Sequence, residues 1–233
     1  MPRAPKDNSR MALAGVDGCR GGWLAATEAE GNISWRWTAT FRDLYDDQSL
    51  VTLAVDVPIG LPDSGTRCCD IEARKLIGPR RSSVFAAPIR SVLKHTTYPE
   101  ARAELAKLGP TSMSAQAFGI VRAIRDVDAC VTERDDDRVV ETHPEVAFYV
   151  MGGVMAAKRT AQGVAERVRA LSAWRSDVLN VLATTPEKAP IDDALDALVC
   201  LWAAQRWAAG ERRTLGDGMR DARHLPMRIA PAP

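Results

Sequence analysis

Much of what would announce a function at first reading is scarce in this sequence. Three histidines and five cysteines among 233 residues leave little material for a soft-metal site. The cysteines (Cys19, Cys68, Cys69, Cys130 and Cys200) show no paired spacing, and Cys68-Cys69 lacks a second pair to close a zinc tetrahedron. An odd number of thiols without a framework fits reduced cysteines in a cytoplasmic protein. No apolar run approaches the roughly 18 residues of a membrane span, so no membrane partner is expected. Residues 1–10 have no apolar core of a signal peptide and read as a disordered tail ahead of a single domain over 11–233. The net charge is only +1, so any contact with nucleic acid must be local rather than driven by a global basic field. No internal repeat suggests a solenoid or a duplicated fold. What remains, 46% hydrophobic and 26% charged, is the composition of a globular protein.

The first patterned stretch is an apolar run, Leu13 to Val16, that closes on Asp17; a glycine-rich turn follows, then a second apolar run from Trp23 to Thr27. Small and branched residues bounded by glycines predict strand, turn, strand. Ile33 to Thr40 alternates as a third strand with one wet face, and Phe41 to Gln48 has room for one or two helical turns. Leu50 to Pro58 is a nearly continuous apolar run, the mark of a central parallel strand, and it closes on Asp56. From 59 to 137 the composition shifts to proline, glycine and arginine, with Gly78-Pro79-Arg80-Arg81-Ser82-Ser83 at its centre, and reads as a helical insertion. Helices are predicted there over Tyr98–Leu108, stopped by Gly109-Pro110, and over Ser112–Val127. Glu133 to Asp137 reads as a solvated acidic loop. Arg138 to His143 predicts a fifth strand, Lys158-Arg159 a loop, Gln162–Leu182 one long amphipathic helix and Ile191–Trp202 a last one. A closing strand is placed around Met227–Ile229. Trp23, Trp174 and Trp202 fit core faces.

Taken alone, Asp17 is explained by a turn aspartate. Three further observations change that. Asp56 ends a second buried strand, Glu145 follows a third, and Asp193 and Asp196, three apart, share one face of the last helix. Helix capping accounts for Asp192 or Asp193 but not for Asp196, a turn further in. If the fourth strand lies beside the first, Asp17 and Asp56 become neighbours at the carboxyl edge of the sheet, where open α/β sheets place ligands. Carboxylates gathered there suit hard divalent cations such as Mg²⁺ or Mn²⁺, which support phosphodiester hydrolysis. Arg80, Arg81, Ser82 and Ser83 have the chemistry to bind phosphates, as Lys158 and Arg159 do less strongly, and His143 could orient a carboxylate or relay a proton.

Five segments carry a resemblance: Gly15-Val16-Asp17-Gly18-Cys19-Arg20-Gly21-Gly22-Trp23, Asp56-Val57-Pro58-Ile59-Gly60-Leu61-Pro62, Arg80-Arg81-Ser82-Ser83-Val84-Phe85, His143-Pro144-Glu145 and Asp192-Asp193-Ala194-Leu195-Asp196-Ala197. Together they resemble the predicted ribonuclease H-like nucleases grouped as domain of unknown function 429, over about residues 13–228. The resemblance implies an α/β fold with a mixed five-stranded sheet, three antiparallel strands then two parallel ones, flanked by helices and interrupted by a helical insertion after the fourth strand. It implies a nuclease acting on DNA or RNA through Mg²⁺ or Mn²⁺. Asp17 would bridge ions, Asp56 and Asp196 would each hold one, and Asp193 or Glu145 would complete the shell, with Glu145 at the end of the fifth strand. Two rivals share the fold: a non-catalytic scaffold holding a partner or phosphorylated ligand, and a relative of the actin-like ATPases and sugar kinases. The second needs a duplicated domain, which the chain is too short to contain.

Overall fold

The structure, a computed structural model, describes residues 11–107 and 113–231. The tail 1–10, the stop at Gly109-Pro110, the last residue of the helix expected over Tyr98–Leu108 and the start of the one expected from Ser112 lie outside the described residues. The sheet has five strands in the order β3-β2-β1-β4-β5: β1 (Ala12–Cys19), β2 (Gly22–Ala29), β3 (Asn32–Thr38), β4 (Leu50–Val55) and β5 (Val139–Glu141). β1 to β3 form an antiparallel meander, while β4 runs parallel to β1 and β5 parallel to β4. This is the mixed sheet expected, with β1 at its centre. The β1–β2 turn is closed by Gly21 at φ 89°, a backbone conformation that side chains resist.

Helices cover both faces. In chain order they are α1 (Arg42–Tyr45), α2 (Cys68–Leu76), α3 (Tyr98–Lys107), α4 (Ala115–Gly119), α5 (Val121–Asp128), α6 (Pro144–Gly152), α7 (Ala161–Trp174), α8 (Val178–Ala183) and α9 (Ile191–Ala208). Four of them, α2 to α5, fall between β4 and β5. Residues two apart on a strand share a face. Val16, Trp23, Ala25, Leu53 and Val55 pack on Phe41 and on Ile124 and Val127 of α5. On the opposite face, Leu24 and Ala26 meet Ala194, Leu198 and Leu201 of α9. No helix among the described residues is long and apolar enough to cross a membrane.

The approach of α9 to β1 is unusually close and has one cause. A Cβ built on Gly15 would lie 1.9 Å from the Leu201 amide nitrogen and 2.2 Å from the Ala197 carbonyl oxygen. The helix backbone therefore rests on the strand backbone. Asp17, two residues along β1, emerges on that same face. Asp196, next to Ala197, is brought to meet it.

Several elements differ from expectation. The long helix over Gln162–Leu182 is two, because Arg175 is extended (φ −139°, ψ 124°). Its guanidinium ties to Asp177 and to the Gly31 carbonyl, while Trp35 donates to the Val181 carbonyl at 3.0 Å, seating α8 under β3. The helix expected over Ser112–Val127 divides at Ile120, with the Ser114 hydroxyl capping the first part. The helix α2, with no periodicity strong enough to reveal it, lies inside the proline-glycine segment. Around Met227–Ile229 there are isolated bridges, Leu215 to Ile229 and Thr142 to Ala230, rather than a strand. The acidic run is solvated only in part: Glu133, Arg134 and Asp137 are exposed, but Asp135 is buried and accepts from the Thr132 amide and the Tyr45 hydroxyl, and Asp136 pairs with Arg220 and Arg228.

If the Gly15 contact holds α9 in place, Gly15→Ala must push helix and strand apart. The expected cost exceeds about 3 kcal/mol, at or beyond the upper end of ordinary overpacking. Urea unfolding monitored by circular dichroism checks this; a loss below about 1 kcal/mol would contradict the packing described.

Candidate metal centre

Two parallel strand ends and one helix turn build the site. The Asp56 amide donates to the Val16 carbonyl at 2.9 Å, which continues the β1–β4 ladder by one step and sets Asp56 beside Asp17. Asp196 comes down from the second turn of α9. One oxygen from each of Asp17, Asp56 and Asp196 lies within 4.8 Å of the other two. Asp17 and Asp196 are buried and Asp56 is half-buried.

Three carboxylates so placed cannot all stay charged without compensation. Burial first, then the charge of Asp196, pushes the Asp56 carboxyl up to about 8. Burial and then Asp56 hold Asp17 well above the ordinary carboxylate range. Burial also raises Asp196, opposed by Lys158, whose Nζ donates to Asp196 Oδ2 at 2.6 Å. That ammonium is the cation nearest the cluster, and it shows where positive charge is favoured. The donors are hard carboxylate oxygens, with no thiolate or imidazole among the three, so the set fits a hard cation. Asp17, Asp56 and Asp196 form a group that could hold a metal ion.

The carboxylates open into a cavity of about 610 Å³. Its wall includes Asp193, His143, Glu145, Lys158 and Arg159, together with Arg80, Ser82 and Ser83. Of the residues singled out in the sequence, Arg81 alone is not on that wall; its side chain is exposed. Glu145 stands in the first turn of α6 rather than at the end of β5. It is held by Arg167 at 2.9 Å and Arg80 at 3.2 Å, and it is outside the group of three. Arg167 is itself buried and anchored on the Ala156 and Gly163 carbonyls. Asp193, half-buried, is pushed up to about 6 by burial and then by Asp192. Burial lowers His143, and its buried Nδ1 has no hydrogen-bond partner among the described residues.

One part of the site was not foreseen. Arg67, just ahead of α2, is fully buried and forks onto both oxygens of Glu141 at 2.7 Å. It also bonds Asp70 at 2.6 Å and the Ile59 carbonyl at 3.0 Å. Glu141 in turn accepts from the Ile59 amide at 2.7 Å. This pairing clamps the turn after Asp56 to the end of β5. Its sequence signal is slight, because Arg67 and Glu141 lie 74 residues apart.

These features define a class: a mixed α/β protein with an acidic site at the carboxyl edge of its parallel strands. The chain belongs to the family described as protein of unknown function DUF429, whose model matches residues 15–220. No curated protein and no solved structure matches the chain. The family match covers Asp17, Asp56 and Asp196 but carries no activity with it.

Two outcomes follow from the electrostatics. The folded, metal-free protein holds a proton on Asp56 that the unfolded chain releases near the ordinary value of 3.8. Stability should therefore fall as pH rises from about 4 through about 8, and Asp56→Asn should flatten that decline in thermal melts with chelator present. A decline unchanged in Asp56→Asn would contradict the assignment. Lys158→Met removes the competing ammonium and should tighten Mn²⁺ binding by about tenfold, roughly 1.4 kcal/mol, in calorimetric titrations at pH 7. Unchanged or weaker binding would show that Lys158 does not compete with the ion.

Proposed function

We propose that this protein is a metal-dependent nuclease, hydrolysing phosphodiester bonds of DNA or RNA. The observation that carries the reading is the convergence of Asp17, Asp56 and Asp196 from three separate elements to within 4.8 Å. A scaffold gains nothing from such a cluster, because burying mutually repelling carboxylates costs stability. Asp17, Asp56 and Asp196 would hold Mg²⁺ or Mn²⁺, with Asp193 flanking them and Glu145 further back. A divalent ion there would lower the pKa of water and offset charge on the leaving oxygen.

The chain's own groups supply the rest. Arg80, shared with Glu145, and the hydroxyls of Ser82 and Ser83 line the wall where a phosphate would rest, and they donate to its non-bridging oxygens. Lys158, bonded to Asp196 at 2.6 Å without the ion, would on displacement by it add positive charge beside the phosphate. His143 lines the same wall with its pKa lowered by burial and its Nδ1 enclosed, which suits it to positioning a neighbouring carboxylate more than to taking a proton.

Single-stranded, duplex and branched DNA and RNA, incubated with Mg²⁺ or Mn²⁺, should be cleaved, and chelator should stop it. Asp17→Asn should lower the rate by more than about 100-fold while circular dichroism shows the fold retained. Cleavage that survives this substitution would overturn the reading.

A further inference from the structure

We infer that the ligand-binding surface continues from the carboxylate cavity across Gly18 into a second cavity, where Arg20 and Arg122 hold further phosphates of the same nucleic-acid strand. The inference rests on the phosphodiester reading above for the chemistry at the carboxylates, and it makes the substrate a polynucleotide rather than a small phosphodiester.

The second cavity, about 630 Å³, lies between the β1–β2 turn and α5. It shares Gly18, Ile120 and Ala123 with the carboxylate cavity, so the two adjoin along these three residues. Each half is in the range that holds a single small ligand. A strand lying through both must therefore be longer than a mononucleotide.

The charge of the second half is local and positive. Three guanidiniums, Arg20, Arg122 and Arg125, face one carboxylate, Asp126. Asp126 is already occupied, accepting from Trp23 Nε1 at 2.7 Å and from the Phe41 amide at 2.8 Å. Arg125 is committed to the Leu93 and His95 carbonyls. Arg20 and Arg122 are exposed, and neither has an ion-pair or side-chain hydrogen-bond partner among the described residues. In a chain whose net charge is +1, two uncommitted guanidiniums beside an acidic cavity supply what phosphates need.

Two glycines give independent support. Gly15 and Gly21 are required by a close approach and by a left-handed backbone, but Gly18 and Gly119 are required by neither. The nearest neighbours of a Cβ on Gly18 would be Ala123 and the Trp23 ring at 3.6 Å, an ordinary contact, and a Cβ on Gly119 would meet nothing within 4 Å. The fold tolerates side chains at both positions, yet both line the groove without one. A side chain on Gly18 would stand where the two cavities adjoin, against Ala123.

The test is fluorescence anisotropy on the full chain, with chelator present so that no strand is cut. Labelled single-stranded DNA and RNA of about 12 nucleotides, a duplex of the same length and a dinucleotide are compared. The longer strand should bind at least tenfold tighter than the dinucleotide. The double variant Arg20→Ala/Arg122→Ala should lose that advantage and reduce the slope of log affinity against log salt by about 1.4, two phosphates at about 0.7 each. Gly18→Leu should lose the advantage with an unchanged melting temperature, and Arg169→Ala, an exposed arginine outside both cavities, should keep it. The inference is overturned if length brings no gain, if the double variant binds as the parent does, or if Arg169→Ala loses as much. Failure of the cleavage assay with this binding intact would remove the nuclease reading alone. The DNA, RNA and duplex arms identify which strand the groove prefers.

Discussion

The site depends on the contact between α9 and β1 at Gly15. Helices normally rest on sheets through a layer of side chains; here the missing side chain lets the helix backbone touch the strand backbone. The small residues around it, Ala26, Ala54, Ala194 and Ala197, follow from the same need for closeness. With that layer removed, a short Asp side chain from α9 reaches the carboxylates at the strand ends. A larger residue at position 15 would lift the helix and dissolve the cluster, even with every aspartate retained.

The cluster is costly, and the surrounding structure shows how the cost is contained. Lys158 offsets part of the charge on Asp196. Arg67 and Glu141 form a buried bidentate pair that clamps the turn following Asp56. Arg167 and Arg80 pair with Glu145, and Arg167 opposes the push that the Glu145 charge exerts on Asp196. Buried pairs of this kind contribute little net stability, but removing one partner strands a charge. Their use here is positional: each holds a segment that presents a wall of the cavity.

How far the sequence revealed this depends on the range of the interaction. Asp17 and Asp56 were legible because each terminates an apolar strand, and a carboxylate at the end of a buried run must find a partner, a cation or water. Asp193 and Asp196 are legible as a pair three apart, and Asp196, too far into the helix for capping, is the one that packing places in the group, with Asp193 half-exposed at the wall. Glu145 is legible as a site residue just past a strand that ends at His143, and the structure makes the element that Pro144 opens a helix, with Glu145 in its first turn. Arg67 and Arg167 were invisible, since a lone arginine carries no sign of the distant acid it will meet. The breaks at Ile120 and Arg175 were missed for a related reason: apolar periodicity continues through both, and only tertiary bonds such as Trp35 to the Val181 carbonyl decide where the chain turns.

A divalent ion held jointly by Asp17, Asp56 and Asp196 is what the whole arrangement serves. Diffraction from crystals grown with Mn²⁺, measured at the manganese absorption edge, tests it most directly. An anomalous peak is expected within about 2.2 Å of an oxygen from each of the three aspartates. No peak at the three aspartates under saturating Mn²⁺, with the Lys158 ammonium still seated on Asp196, would contradict it.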